Sequence, residues 1–187
     1  DYSLDVSRST GATSSTDYVS LLDERRIEHL ADFFRMLEQD ENVDMAGLDY
    51  MRTNPGSGGY ELAEPFTEQM PVELPDDWAS MSERERQRYV AVKVEEQWRE
   101  DEDPDFYDAW NWWRAHLGAE VVRRIIEKSG ITKPTWVFIL SWWHGMQHGQ
   151  DPVMFTDAGI TMLAPMLYQV PNRAHSDIMV RDWNEYL

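Results

Sequence analysis

Residues 132–149 read Thr-Lys-Pro-Thr-Trp-Val-Phe-Ile-Leu-Ser-Trp-Trp-His-Gly-Met-Gln-His-Gly, and the fold turns on the period assigned to this stretch. At about 100° per residue it is a helix that starts after Thr132, carries Pro134 in its first turn and ends near Gly149. Ile139, Trp142, Trp143 and Met146 then share one face, with Val137, Ser141, His144 and His148 roughly opposite. Phe138 and Leu140 fill the flanks, and a helix apolar nearly all round belongs at the centre of a helical domain. The run is far shorter than the roughly 20 residues of a membrane span, so none is expected.

Upstream, Asp103 as N-cap and Pro104 at the first helical position open a second strong helix. Phe106, Trp110, Trp113, Leu117, Val121 and Ile125 recur along it every three or four residues, and Gly130 supplies its stop. Trp110, Trp112 and Trp113 cannot all point into one core, so Trp112 is expected at another surface as an interface residue. Ser82 and Glu85 form a capping-box pattern that starts a helix running to about Asp101. A further helix is expected from Asp17 to Gln39 with Thr16 as N-cap, on the stripe Val19, Leu22, Leu30, Phe33 and Leu37. A short one from Asp157 to Leu163 meets Pro165. A last one, from Asp177 to Leu187, aligns Met179, Trp183 and Leu187, and Trp183 joins Trp112 as a candidate interface residue.

Two stretches lack helical signals. Residues 3–16 are small and polar and read as an extended arm. Residues 40–79 read as an irregular insertion around the loop Asn54–Gly59, with short strands at Glu61-Leu62 or Pro71–Leu74. The expected fold is therefore mainly α: a helical bundle or orthogonal helical domain over 17–187, with an extended N-terminal arm over 1–16 and a long Pro/Gly-rich loop. The chain opens on Asp1 rather than methionine, as a processed or excised chain does.

Composition narrows the function. The 187 residues carry 35 Asp and Glu against 17 Lys and Arg, a formal charge of -18. Binding nucleic acid through basic patches is excluded, because counterion release needs clustered cations. No cysteine is present, which removes disulfides, thiolate metal ligands and Cys nucleophiles. Lysine is scarce beside arginine, a pattern shared by salt-adapted acidic surfaces and by GC-rich genomes. Nine Trp and ten Met supply the adaptable contact area found in cores and at interfaces.

The helical reading places His144 and His148 at i, i+4, a spacing that can chelate Zn, Fe or Mn if carboxylates arrive from another helix. Glu120, with His116 one turn before it, is the first-choice partner. Two signatures are missing: no Glu-x-x-His occurs anywhere, and Gly145 stands where His-Glu-x-x-His needs glutamate. The alternating Asp101, Asp103 and Asp105 fail as a calcium loop, because Phe106 and Trp112 occupy its glycine and glutamate positions. The leading expectation is a non-enzymatic structural or interaction subunit of a larger assembly of protein chains. Such a chain would be soluble, in a cytoplasmic complex or a virion. The alternatives are a metal-dependent helical-bundle enzyme of oxidoreductase type and an acidic nucleic-acid mimic that blocks a basic groove.

Overall fold

Residues 135–139 form a β-strand at the centre of a parallel sheet, so the expected helical bundle gives way to a mixed α/β fold. The structure is a computed structural model that describes residues 2–53, 58–96, 104–140 and 142–166, with the backbone alone at 96, 104, 105 and 142–144. In chain order the elements are β1 (Tyr2–Val6), β2 (Thr13–Val19), α1 (Glu24–Gln39), β3 (Ala46–Leu48), α2 (Ala63–Gln69) and α3 (Glu83–Glu96). There follow α4 (Pro104–Ser129), β4 (Thr135–Ile139), α5 (Trp142–Gln147), α6 (Pro152–Asp157) and β5 (Met162–Pro165). Short 3-10 turns at Tyr60–Leu62 and Trp78–Ser80 flank α2.

The reason for the altered fold lies in the apolar run itself. A parallel strand inside a sheet is apolar on both faces, so it reads as a continuous hydrophobic run and imitates a buried helix. Thr135-Trp136-Val137-Phe138-Ile139 is five residues long, rich in β-branched and aromatic side chains, and follows Pro134. Those features favour a strand. Only the short α5 remains of the expected helix.

The arm is a β-hairpin. β1 and β2 pair antiparallel, with Leu4 opposite Ser15, Asp5 opposite Ser14 and Val6 opposite Thr13. It is tied to its own domain: Val6 is buried in the core, Leu4 N donates to Glu61 Oε2 (2.8 Å), and Arg88 Nε donates to Arg8 O (2.7 Å). Because β2 takes residues 13–19, α1 starts at Glu24 rather than Asp17. Its N-cap is Asp23, whose Oδ1 accepts from Arg25 N (3.0 Å) and Arg26 N (3.2 Å). The 40–79 insertion contains β3, α2 and both 3-10 turns rather than the expected short strands. The helix expected over 157–163 is displaced to α6, capped by Asp151, and is followed by β5.

α4 matches its expected span, with Gly130 in the left-handed conformation (φ 66°) just beyond it. The Ser82–Glu85 capping box is formed: Ser82 N donates to Glu85 Oε2 (2.8 Å) and Glu85 N to Ser82 Oγ (3.4 Å). α1 lies along α4, joined at the surface by ion pairs Glu24–Arg124 and Glu28–Lys128. Beneath them Ile27 and Phe34 share the core with Val122 and Ile125.

The sheet runs β3–β4–β5, in sequence order and parallel throughout. Ala46 pairs with Thr135 and Leu48 with Val137; Val137 pairs in turn with Leu163. This face is buried at Ala46, Leu48, Thr135, Val137 and Ile139 and merges with the helical core. The segments 97–103 and 167–187, including the expected helix at 177–187 with Trp183, lie outside the described residues.

Candidate functional site

Parallel strands bring their carboxyl ends to one edge, the place where open α/β sheets bind ligands. Here the described segments leaving that edge are 49–53 after β3, and Leu140 and 142–150 after β4. A buried polar knot fastens both to α4. Arg114, 1% exposed, donates from Nη1 to Thr53 Oγ1 (2.8 Å) and from Nη2 to Asn111 Oδ1 (2.7 Å) and Gln147 O (2.9 Å). Its guanidinium lies 5.2 Å from the centre of the Trp110 ring. Burial pushes its pKa down to about 10, which leaves it protonated at neutral pH.

Thr53 carries the knot onward. Its N–H and its hydroxyl both donate to His148 O (2.8 and 3.1 Å), and its own carbonyl lies 2.7 Å from His148 Nδ1. A carbonyl only accepts, so Nδ1 bears the proton and the imidazole tautomer is fixed. Gln150, also buried, donates from Nε2 to Met51 O and Phe138 O (3.1 Å each) and accepts from Leu140 N (2.9 Å). The two loops are thus held as one unit.

The outer corner is Asp49–Arg52. Tyr50 has φ 56°, the one non-glycine residue in the left-handed region among those described, and is 58% exposed. Two short contacts hold that turn: Tyr50 N donates to Asp49 Oδ1 (2.7 Å), and Arg52 N donates to Tyr50 O (2.8 Å). The Arg52 guanidinium lies 4.7 Å from the Tyr50 ring centre, within cation–π range.

A second feature is the other face of the sheet. Gly47 pairs with Trp136, Trp136 with Met162, and Phe138 with Ala164, so these five residues share it. None is charged. Trp136 and Phe138 are half-buried, meet edge to face at 4.7 Å, and stand outside the core cluster. Met162 is 45% exposed, and the outer edges of β3 and β5 have no strand partner among the described residues.

The residues singled out for metal binding are placed as follows. His144 lies within α5, its side chain outside the described set, while His148 falls just beyond the end of that six-residue helix. The two no longer share one long helical face. His116 is exposed and stacks on Trp112, ring centres 5.7 Å apart and planes 2° from parallel. Glu120 is ion-paired with Arg123 on the same helix. Among the described residues no group of three or more His, Asp or Glu is gathered to hold a metal ion. Trp112 is 50% exposed, whereas Trp110 and Trp113 are buried.

Sequence reasoning passed over Arg114, Thr53, Tyr50 and Arg52. One signal was legible: Arg114 is a lone charge one turn after Trp110, inside the apolar span of α4. The others depend on tertiary placement. No described helix is long and apolar enough to cross a membrane. No protein-family model and no curated protein matches this chain.

Proposed function

We propose that the chain is an interaction unit of a larger protein assembly, and that the face formed by Gly47, Trp136, Phe138, Met162 and Ala164 is where a partner polypeptide seats. The observation that carries this reading is the contrast between the two faces. Parallel sheets occur almost always with both faces covered, yet here one is buried by helices and the other, equally free of charge, is half-exposed. A partner presenting an uncharged apolar layer gains by removing Trp136, Phe138 and Met162 from water, at about 25 cal/mol per Å² of apolar area.

The test is binding of a hydrophobic fluorescent dye to the purified chain, with sedimentation to follow its association state. The native chain should bind the dye and associate or co-elute with another chain. Met162→Glu should cut dye binding several-fold and abolish association with little change in Tm, because Met162 is already exposed. A chain that neither binds dye nor associates, but binds dye once residues 167–187 are removed, would assign the face to its own C-terminal segment and overturn the proposal.

A further inference from the structure

We infer that the partner element seated on the open sheet face is a basic amphipathic helix, apolar along one stripe and flanked by Lys or Arg. This rests on the interaction reading and deepens it, because the surface is the same: Gly47, Trp136, Phe138, Met162 and Ala164.

The dimensions suit one helix. Strands about 4.8 Å apart place the outer two of this sheet about 10 Å from each other, close to the diameter of a helix with its side chains, about 10–12 Å. β4, the longest of them, has five residues and runs about 16 Å, the length of about three helical turns. The Trp136 indole lies over Gly47 and meets Phe138 edge to face, so rings fill the side of β3 and β4. On β5, Ala164 is the register partner of Phe138 and carries only a methyl group. That difference in height leaves a step along which a helix ridge lies. Helices are also what ordinarily covers a parallel sheet, on both of its faces.

Charge sets the sign of the flanks. The chain carries -18, and the segment leading into β3 holds Asp40, Glu41 and Asp44, all exposed. Asp49, also exposed, follows the same strand. The lysine that precedes β4 does not offset them on the open side. Lys133 Nζ donates to Leu37 O (2.8 Å) and Asp40 O (2.6 Å), against the end of α1 on the covered side. At the other end of β3 a single cation, Arg52, lies on the Tyr50 ring. Basic flanks on the partner helix therefore meet carboxylates, while its apolar stripe removes Trp136, Phe138 and Met162 from water. Such complementarity steers and orients the encounter more than it tightens it. A second copy of this chain would instead bring two acidic rims together.

The experiment titrates the full 187-residue chain into fluorescein-labelled synthetic peptides of about 18 residues, read by fluorescence anisotropy. The first is an amphipathic leucine–lysine helix, the second carries glutamate in place of each lysine, and the third is the lysine peptide broken by central prolines. The lysine helix should bind saturably and one to one, about tenfold tighter than either of the others. Met162→Gln, which removes apolar contact without changing charge, should weaken that binding several-fold. Asp44→Asn should weaken it and flatten its salt dependence. Lysine-helix affinity unchanged in Met162→Gln would mean attraction by bulk charge alone and would overturn the inference. Equal binding of the glutamate or the proline-broken peptide would do the same. If the chain binds dye and associates but not with the lysine helix, this inference fails and the interaction reading stands; if dye binding and association are absent as well, both fail.

Discussion

The Trp136 indole lies across Gly47 so closely that a β-carbon on Gly47 would overlap Trp136 Cε2. The residues are register partners on β3 and β4, so the largest side chain of the open face rests where its neighbour has none. Gly47→Ala should therefore destabilise by about 1–3 kcal/mol, the usual cost of overpacking. In a Trp136→Ala background the same change should cost almost nothing. A double-mutant cycle by urea denaturation measures the coupling, and additive effects would show that the contact is not formed.

Arg114 anchors both loops of the carboxyl edge. Arg114→Ala removes donors from Thr53 Oγ1, Asn111 Oδ1 and Gln147 O together, and should cost on the order of 3–5 kcal/mol. Amide exchange should rise first at 49–53 and 147–150, ahead of α1. A uniform rise across the chain would mean the knot is not a local fastening.

Tyr50 offers the opposite sign. Glycine adopts its φ of 56° without steric cost, so Tyr50→Gly should raise stability by up to about 1 kcal/mol, even after glycine's larger unfolded-state entropy is charged against it. Thermal melts of the two chains read the effect, and a lower Tm in Tyr50→Gly would show that the turn stores no such strain.

Acid should loosen the junction between α1 and β4. Glu38 accepts from Thr132 Oγ1 (2.6 Å), Thr132 N (3.0 Å) and Lys133 N (3.2 Å). The Thr132 hydroxyl, followed by these two amides, holds its carboxyl below the usual glutamate value. The unfolded chain therefore binds the proton at higher pH than the folded one. The stabilisation is present above the ordinary glutamate pKa and is lost as pH falls through the folded value. Glu38→Gln should show a shallower loss of urea midpoint between neutral pH and about pH 3 than the native chain. Parallel curves would remove Glu38 from the acid response.

What could be read from the sequence divides along physical lines. α4 and the Ser82–Glu85 cap were legible because local chemistry decides them: proline at the first helical position, glycine at the stop and a reciprocal cap. The outward turn of Trp112 followed from spacing alone. β4 was not legible by periodicity, because apolar side chains on both of its faces erase the alternation that marks a strand. The hairpin was hidden in Ser-Thr-rich residues 3–16, whose pairing is set by Val6 in the core and by Arg88 and Glu61 from distant segments. The His144–His148 pair was legible only as long as one helix carried both.

The order of the sheet also sets a timetable. β3 pairs only with β4 among the described strands, and residues 49–134 lie between them. At about 5–20 residues per second on the ribosome, Ala46–Leu48 emerges on the order of 10 s before its partner exists. Until α4 follows late in that interval, α1 has neither that helix nor the sheet to lie against, and its Ile27 and Phe34 are left to water or to a chaperone. Long-range parallel pairing is slow even in the finished chain. The early half of this molecule thus spends its first seconds as a nascent segment waiting for the late half, and yield during synthesis should respond to changes in α4 and β4 more than to changes in the hairpin.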